Sequence, residues 1–213
     1  TPVPATVSTN TLTGNTGAGG GLAASGSGAT IATDNVFVPP IHVEGGSTGG
    51  SLSWVNPFVY YVKGAIAVDG ATTLTIPAGR IVKFAQSTYL WVDGSLNVTG
   101  AAGNEAYFTD YRDDTVGGDT NGDGGATNPA AGWWGGIVGI GSGAITVDHA
   151  EVRYAGLNFG YGSAGILMGG TESLTLTNSV VKWATGIGVQ LASAVTHTIS
   201  GSTITGNTGT GVG

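Results

Sequence analysis

Between Trp54 and Thr109 apolar residues alternate with small or polar ones in short runs. Tyr60-Tyr61-Val62, Ala65-Ile66-Ala67-Val68, Thr73-Leu74-Thr75-Ile76, Ile81-Val82-Lys83-Phe84, Tyr89-Leu90-Trp91-Val92, Ser95-Leu96-Asn97-Val98 and Ala106-Tyr107-Phe108-Thr109 each read as a strand. Asp69-Gly70, Pro77-Ala78-Gly79, Asp93-Gly94 and Thr99-Gly100 punctuate them as single turns. Helical periodicity is absent. Strands this short, broken only by tight turns, predict an all-β solenoid or a sandwich.

A repeated phrase favours the solenoid. Thr-x-Ser-x-x-Thr-x-Thr-Gly-Asn-Thr-Gly occurs at residues 6–17 and again at 198–209. Thr175-Leu176-Thr177-Asn178-Ser179-Val180-Val181 aligns with Thr198-Ile199-Ser200-Gly201-Ser202-Thr203-Ile204 at an offset of 23, and Thr146-Val147-Asp148-His149-Ala150-Glu151-Val152 precedes the first of these by 29. One coil of a parallel β-helix takes roughly 20 to 30 residues, so each offset is one turn, with the surplus of the longer one in residues 158–163. Residues 1–52 are a loosely specified Gly/Thr-rich region, with Gly19-Gly20-Gly21, Gly45-Gly46 and Gly49-Gly50 between candidate strands at 30–38 and 41–43 and a pairing break at Pro39-Pro40. Residues 53–213 then form the coils, with an Asp-rich insert at 110–132.

Composition narrows the class. The 213 residues include 41 Gly without a three-residue period and only 7 Pro, which excludes collagen, while 40% hydrophobic content in alternating runs argues against disorder. Charged residues are only 9%, against a usual share of about a quarter. The surface is therefore built from Thr, Ser, Asn and Gly, as on flat solenoid faces of secreted proteins. A net charge of −7 with only 6 Lys plus Arg excludes a nucleic-acid partner and an anionic membrane surface. No cysteine is present, so disulfides, thiolate metal sites and Cys catalysis drop out. Thr1-Pro2-Val3-Pro4 has neither a basic nor an apolar leader segment, and the most apolar stretch, residues 133–147, is too short and Gly-rich to insert into a membrane.

The string Thr73-Leu74-Thr75-Ile76-Pro77-Ala78-Gly79-Arg80-Ile81-Val82-Lys83-Phe84, followed by Leu90-Trp91-Val92-Asp93-Gly94-Ser95-Leu96-Asn97-Val98-Thr99-Gly100, resembles the opening coils of bacterial secreted right-handed parallel β-helix proteins of the pectin-lyase-like kind. The likeness continues through Phe108-Thr109-Asp110, the Asp-rich insert, Trp134-Gly135-Gly136-Ile137 and residues 148–156, leaving the first 52 residues outside it. It implies a right-handed β-helix used at the cell surface or outside the cell, often as a stalk or adhesin. It implies no particular activity, because that fold carries enzymes and inert stalks alike.

Chemistry concentrates in the insert. Asp119-x-Asn121-x-Asp123-Gly124 places side-chain oxygens at alternate positions before a turn glycine, as in the first half of an EF-hand-type loop. Ca²⁺ takes six to eight oxygens, and Asp113 or Asp114 upstream would help complete the shell, because the bidentate Glu of such a loop is replaced by Ala130. Without a cation, these groups read as a solvated acidic turn. The expected metal set is Asp113, Asp114, Asp119, Asn121 and Asp123. Trp133 and Trp134, with Tyr107, Tyr111 and Trp91, offer either sugar platforms or core packing, and packing is favoured. Alternation along one strand puts Asp148, Ala150 and Val152 on one face and His149, Glu151 and Arg153 on the other, an acid/base trio or a solvated strand face.

The expected function is a non-catalytic extracellular or cell-surface module of a bacterial protein: stalk, adhesin or filament subunit, with a glycan or cell-surface partner. A polysaccharide lyase would draw its base from Lys83, Arg112 or Arg153, but basic residues are too scarce for a polyanion cleft. A glycosidase would pair Asp110, Asp113 and Asp114, whose clustering suits a metal better. An ice-binding face is the third alternative, from Thr11-x-Thr13, Thr73-x-Thr75, Thr175-x-Thr177 and Thr203-x-Thr205, although the coils of Trp91, Lys83 and Arg153 lack that pair. The closing phrase ends in mid-coil and nearly repeats the opening one without a polar cap. This predicts a piece of a longer solenoid or head-to-tail self-assembly.

Overall fold

A computed structural model describes residues 40–191 and 195–213, together with the backbone of short strands at Thr6–Val7, Thr11–Leu12, Ala23–Ala24, Thr30–Ile31 and Val36–Phe37. The early copy of the repeated phrase, and most of the strand expected at 30–38, lie outside the described residues. Among the described residues there is no helix, and every paired strand runs parallel to its neighbour.

Three stacked parallel sheets form the faces of the coils. Face 1 holds Gly46–Ser47, Ile66–Val68, Leu90–Val92, Ile137–Gly139, Ala164–Met168 and Ile187–Leu191 in that order. Face 2 holds Leu52–Ser53, Thr73–Pro77, Ser95–Thr99, Ala144–Asp148, Ser173–Thr177 and Thr198–Ser200. Face 3 runs through Ala23–Ala24, Ile41–Val43, Tyr60–Val62, Ile81–Phe84, Ala106–Asp110, Ala150–Arg153, Val180–Lys182 and Thr203–Thr205. The chain visits the faces in rotation, so each strand pairs with the strand one coil away. This is the arrangement expected of a parallel β-helix.

Register follows the sequence repeat. Thr146 pairs with Thr175, and Thr175 with Thr198, reproducing both coil offsets. Alternation then sends one side chain of each pair inward. Leu74, Leu96, Ile145 and Leu174 stack as one buried ladder beneath face 2, and Val82, Phe108, Val152 and Val181 as another beneath face 3. Burying a Val or Leu side chain stabilises by about 1.5 to 3 kcal/mol, so the stacked ladders are the principal source of stability. Trp134 is fully buried, stacked on Phe84 at 3.9 Å between ring centroids, with its indole N–H donated to the Arg153 carbonyl at 2.8 Å. That is the packing role expected of it.

Coils sit so close that several corners admit only glycine. A Cβ at Gly100 would collide with the carbonyl oxygen of His149, one coil away. His149 itself has φ of +48°. The single strand expected across residues 148–153 is therefore two strands on different faces, Ala144–Asp148 and Ala150–Arg153, with His149 at the corner between them. Corner geometry overrides the alternation there, and no His/Glu/Arg trio shares a strand face.

The Thr pairs divide likewise. Thr73 and Thr75 lie on face 2 with Thr175 and Thr177, whereas Thr203 and Thr205 lie on face 3, and Thr13 is outside the described residues. Trp91, Lys83 and Arg153 also belong to faces 1 and 3. The outward rank on face 2 is Ser53, Thr75, Asn97, Thr146, Thr175 and Thr198. Its residues are small and uncharged, but the threonines are interrupted by Ser53 and Asn97.

Candidate metal centre

Residues 111–136 leave face 3 after Ala106–Asp110, cross its outer surface and re-enter at Ile137–Gly139 on face 1. Asp110, fully buried at the end of its strand, ties the two ends of this excursion together. Its carboxylate accepts from the Arg112 backbone N–H at 2.9 Å, the Arg112 guanidinium at 2.7 and 3.1 Å and the Ala130 N–H at 2.9 Å. The same guanidinium lies 3.4 Å from the centroid of the Trp133 ring, a cation–π contact. Ala130, which stands where an EF-hand loop would carry its glutamate, thus serves through its backbone.

Asp113 anchors the middle of the insert. Its carboxylate accepts from Thr109 at 2.6 Å, from the Thr115 hydroxyl and N–H at 2.5 and 3.1 Å and from Arg153 at 3.2 Å. Burial opposes ionisation of Asp113, but these hydrogen bonds and the Arg153 charge outweigh it and hold the carboxyl below its ordinary range. Arg153 continues through Glu151 to Lys182, whose ammonium is 3.0 Å from the same carboxylate. Asp113 therefore faces the solenoid, apart from the other acidic groups.

Beneath the insert lies Lys83. Its register partners Tyr61 and Thr109 place it on the outward side of face 3, yet the insert buries it completely. The ammonium donates to the Gly118 carbonyl at 2.8 Å. Burial pulls its pKa down to about 8, against the opposing pull of Asp113, Asp114, Asp119 and Asp110. Beside it, Tyr111 stacks on Tyr61 at 3.6 Å and donates its hydroxyl to the Thr120 carbonyl at 3.0 Å.

At the outer end, Asp114, Asp119 and Asp123 bring carboxylate oxygens within 4.8 Å of one another. Successive backbone N–H groups wrap two of them. Asp119 accepts from Gly122 at 2.7 Å and Gly124 at 2.8 Å, and Asp123 from Gly125 at 2.8 Å, Ala126 at 2.9 Å and Thr127 at 2.9 Å. The Thr127 hydroxyl, then these N–H groups, keep the Asp123 carboxyl below its usual range. Asp114 is pushed the other way, by burial and by the neighbouring Asp119 charge. Asp114 Oδ1 and Asn121 Oδ1 are both buried without a hydrogen-bond partner.

Three converging carboxylates, the Asp114 one with an orphaned oxygen, and the orphaned Asn121 amide oxygen fit a Ca²⁺-type cation, whose remaining positions backbone carbonyls or water would fill. Asp114, Asp119, Asn121 and Asp123 are thus brought together and Asp113 is not. Sequence reasoning missed Asp110 and Lys83 as the groups that fasten the insert. A buried lysine at an outward strand position has no local signature, because the loop that covers it follows later in the chain.

The lyase candidates are all engaged in this scaffold: Lys83 under the insert, Arg112 on Asp110 and Trp133, Arg153 on Asp113 and Glu151. Compared with known proteins, the chain matches no family, no curated protein and no solved structure.

Proposed function

We propose that this chain is a right-handed parallel β-helix of the pectin-lyase-like kind, serving as a non-catalytic scaffold or adhesive module outside the cell or on its surface, with a Ca²⁺-loaded insert. The observation that carries the reading is the continuity of three parallel ladders through successive coils, with the acidic excursion fastened flat against the outside of face 3. Such a body is rigid along its stacking axis and displays broad faces, which suits holding and presenting surfaces. An exposed loop with three carboxylates and one amide oxygen is matched to the weak sites, of roughly 10⁻⁴ to 10⁻³ M, that extracellular modules use at millimolar Ca²⁺.

Beads coated with the chain test the reading. Attachment to cell or glycan-coated surfaces, with uronate polymers left uncleaved in the same buffer, is the expected result. Release of unsaturated uronates or reducing ends, abolished by substituting Arg112 or Asp114, would establish the carbohydrate-active alternative instead.

A further inference from the structure

The outward rank on face 1 is Ser47, Ala67, Trp91, Val138, Leu167 and Gln190, in register from coil to coil. Trp91 stands in this rank as a wall. On one side of it the floor is paved with small residues, and a cavity of about 310 Å³ opens, lined by Gly46, Ser47, Ala65, Ala67, Tyr89 and Trp91 with Ile66 beneath. The other side is closed by residues 157–163, which lay Phe159 against Tyr89 at 4.8 Å and Tyr161 edge-on to Trp91 at 5.2 Å between ring centroids.

This backing is built into the fold. The Leu157 N–H donates to the Trp134 carbonyl at 2.9 Å and fixes where the loop starts. A side chain at Gly135 would strike the Phe159 ring. Phe159 and Tyr161 nonetheless remain 36% and 55% exposed. Four aromatic rings thus converge outside the main core, with Tyr89 and Trp91 braced from behind and bordering an open shelf. Trp91 packs with one side on a small second cluster of Val138, Ala164 and Leu167, while the main core beneath is closed by Ile66, Leu90 and Ile137, so the ring's other side is left to the shelf.

We propose that the shelf binds a neutral pyranose unit of a glycan, its apolar ring face stacked on Trp91. Size points to one ring, since cavities for small ligands begin at about 300 Å³, whereas a stable protein partner needs about 800 Å² per side. Trp91 supplies the flat apolar surface that a sugar's axial C–H groups match, and Tyr89, tilted 53° from it at 5.7 Å between centroids, closes the side of the shelf. At the polar edge the Ser47 hydroxyl donates to Asp69, whose second oxygen accepts from the Gly49 N–H at 2.9 Å. The Ser47 oxygen thereby keeps its lone pairs for a sugar hydroxyl.

Charge selects among sugars. Among the described residues no lysine or arginine lines the cavity, and the acidic Asp69 borders it through Ser47. A uronate, sialate or sulfated unit would meet repulsion without a compensating cation. The site deepens the adhesive reading above and rests on it, because it supplies a chemical partner for the surface that the solenoid presents.

The test is calorimetric titration of the full chain, in millimolar Ca²⁺, with neutral gluco-, manno- and galacto-oligosaccharides and with polyuronate. Two variants accompany it: Trp91→Ala removes the stacking surface, and Ala67→Phe fills the floor while leaving Trp91 in place. We expect a neutral oligosaccharide to bind and polyuronate not to bind. Trp91→Ala should weaken binding by about tenfold or more while lowering the melting temperature, because Trp91 also packs on the Val138–Ala164–Leu167 cluster, whereas Ala67→Phe should abolish binding with a melting temperature near that of the parent. The proposal is overturned if no neutral sugar binds, if either variant binds like the parent, or if polyuronate binds as well. Attachment of coated beads to cells that survives Trp91→Ala would likewise remove this site while leaving the adhesive reading intact.

Discussion

Lys83 and Gly118 are joined by a 2.8 Å hydrogen bond from a fully buried ammonium on face 3 to a carbonyl of the insert. The bond joins the Tyr111–Tyr61 stack and the Asp113–Arg153 ion pair in holding the insert against face 3. It also sets a positive charge under the acidic end of the loop.

Lys83→Ala should destabilise the fold by about 1 to 3 kcal/mol, because it opens a void beneath the insert and removes the bond to the Gly118 carbonyl, which keeps only the Thr120 hydroxyl at 3.2 Å. Lys83→Met keeps the packing volume and removes the ammonium that is costly to bury, so its loss should be smaller. Urea unfolding of both variants in chelator measures the difference. Equal losses would mean that the hydrogen bond, rather than filled volume, dominates.

Asp113 and Asp119 should separate cleanly. Asp113→Ala leaves Arg153 short of a partner beneath the insert and should cost about 3 kcal/mol with or without metal. Asp119→Asn and Asp123→Asn should instead abolish the response to Ca²⁺. In the parent chain, millimolar Ca²⁺, at about one to ten times Kd, should add about 0.4 to 1.4 kcal/mol of stability. Thermal melts in chelator and in millimolar Ca²⁺ read both effects, and an unchanged parent melting temperature removes the metal from the proposal.

Asp148 is held at a pKa of about 2 by hydrogen bonds from Asn178 and Thr177, with His149 alongside. A carboxyl whose folded pKa lies below its unfolded value of about 3.9 contributes stability above that value and loses it as pH falls toward 2. Asp148→Asn should therefore flatten the fall in melting temperature between pH 4 and pH 2, measured against the parent chain. An unaltered slope would assign the acid sensitivity to other groups.

Gly100→Ala should be among the most damaging single-methyl changes, since the added carbon meets the His149 carbonyl and neighbouring coils cannot separate without breaking ladder bonds. Overpacking of this kind costs about 1 to 3 kcal/mol. Gly103→Ala, in open space at a φ of +75°, should cost less, through backbone strain alone. Denaturant midpoints of the two variants rank the effects.

Local sequence alone determined the strands, their inward residues and the coil offsets at Thr146, Thr175 and Thr198, because alternation and repeat length are read from neighbouring residues. It also marked Asp114, Asp119, Asn121 and Asp123, whose spacing lies within one loop. Tertiary structure decided what depends on contacts between coils. It turned Asp113 inward to Arg153, 40 residues away, broke the strand at His149 and buried Lys83 under a segment 35 residues later. It likewise set Phe159 and Tyr161 behind Tyr89 and Trp91 to raise the aromatic wall. The division has one physical cause. A solenoid repeats its backbone in short-range units, whereas side chains on its faces meet partners one coil or one insertion away, at distances along the chain that no local pattern encodes.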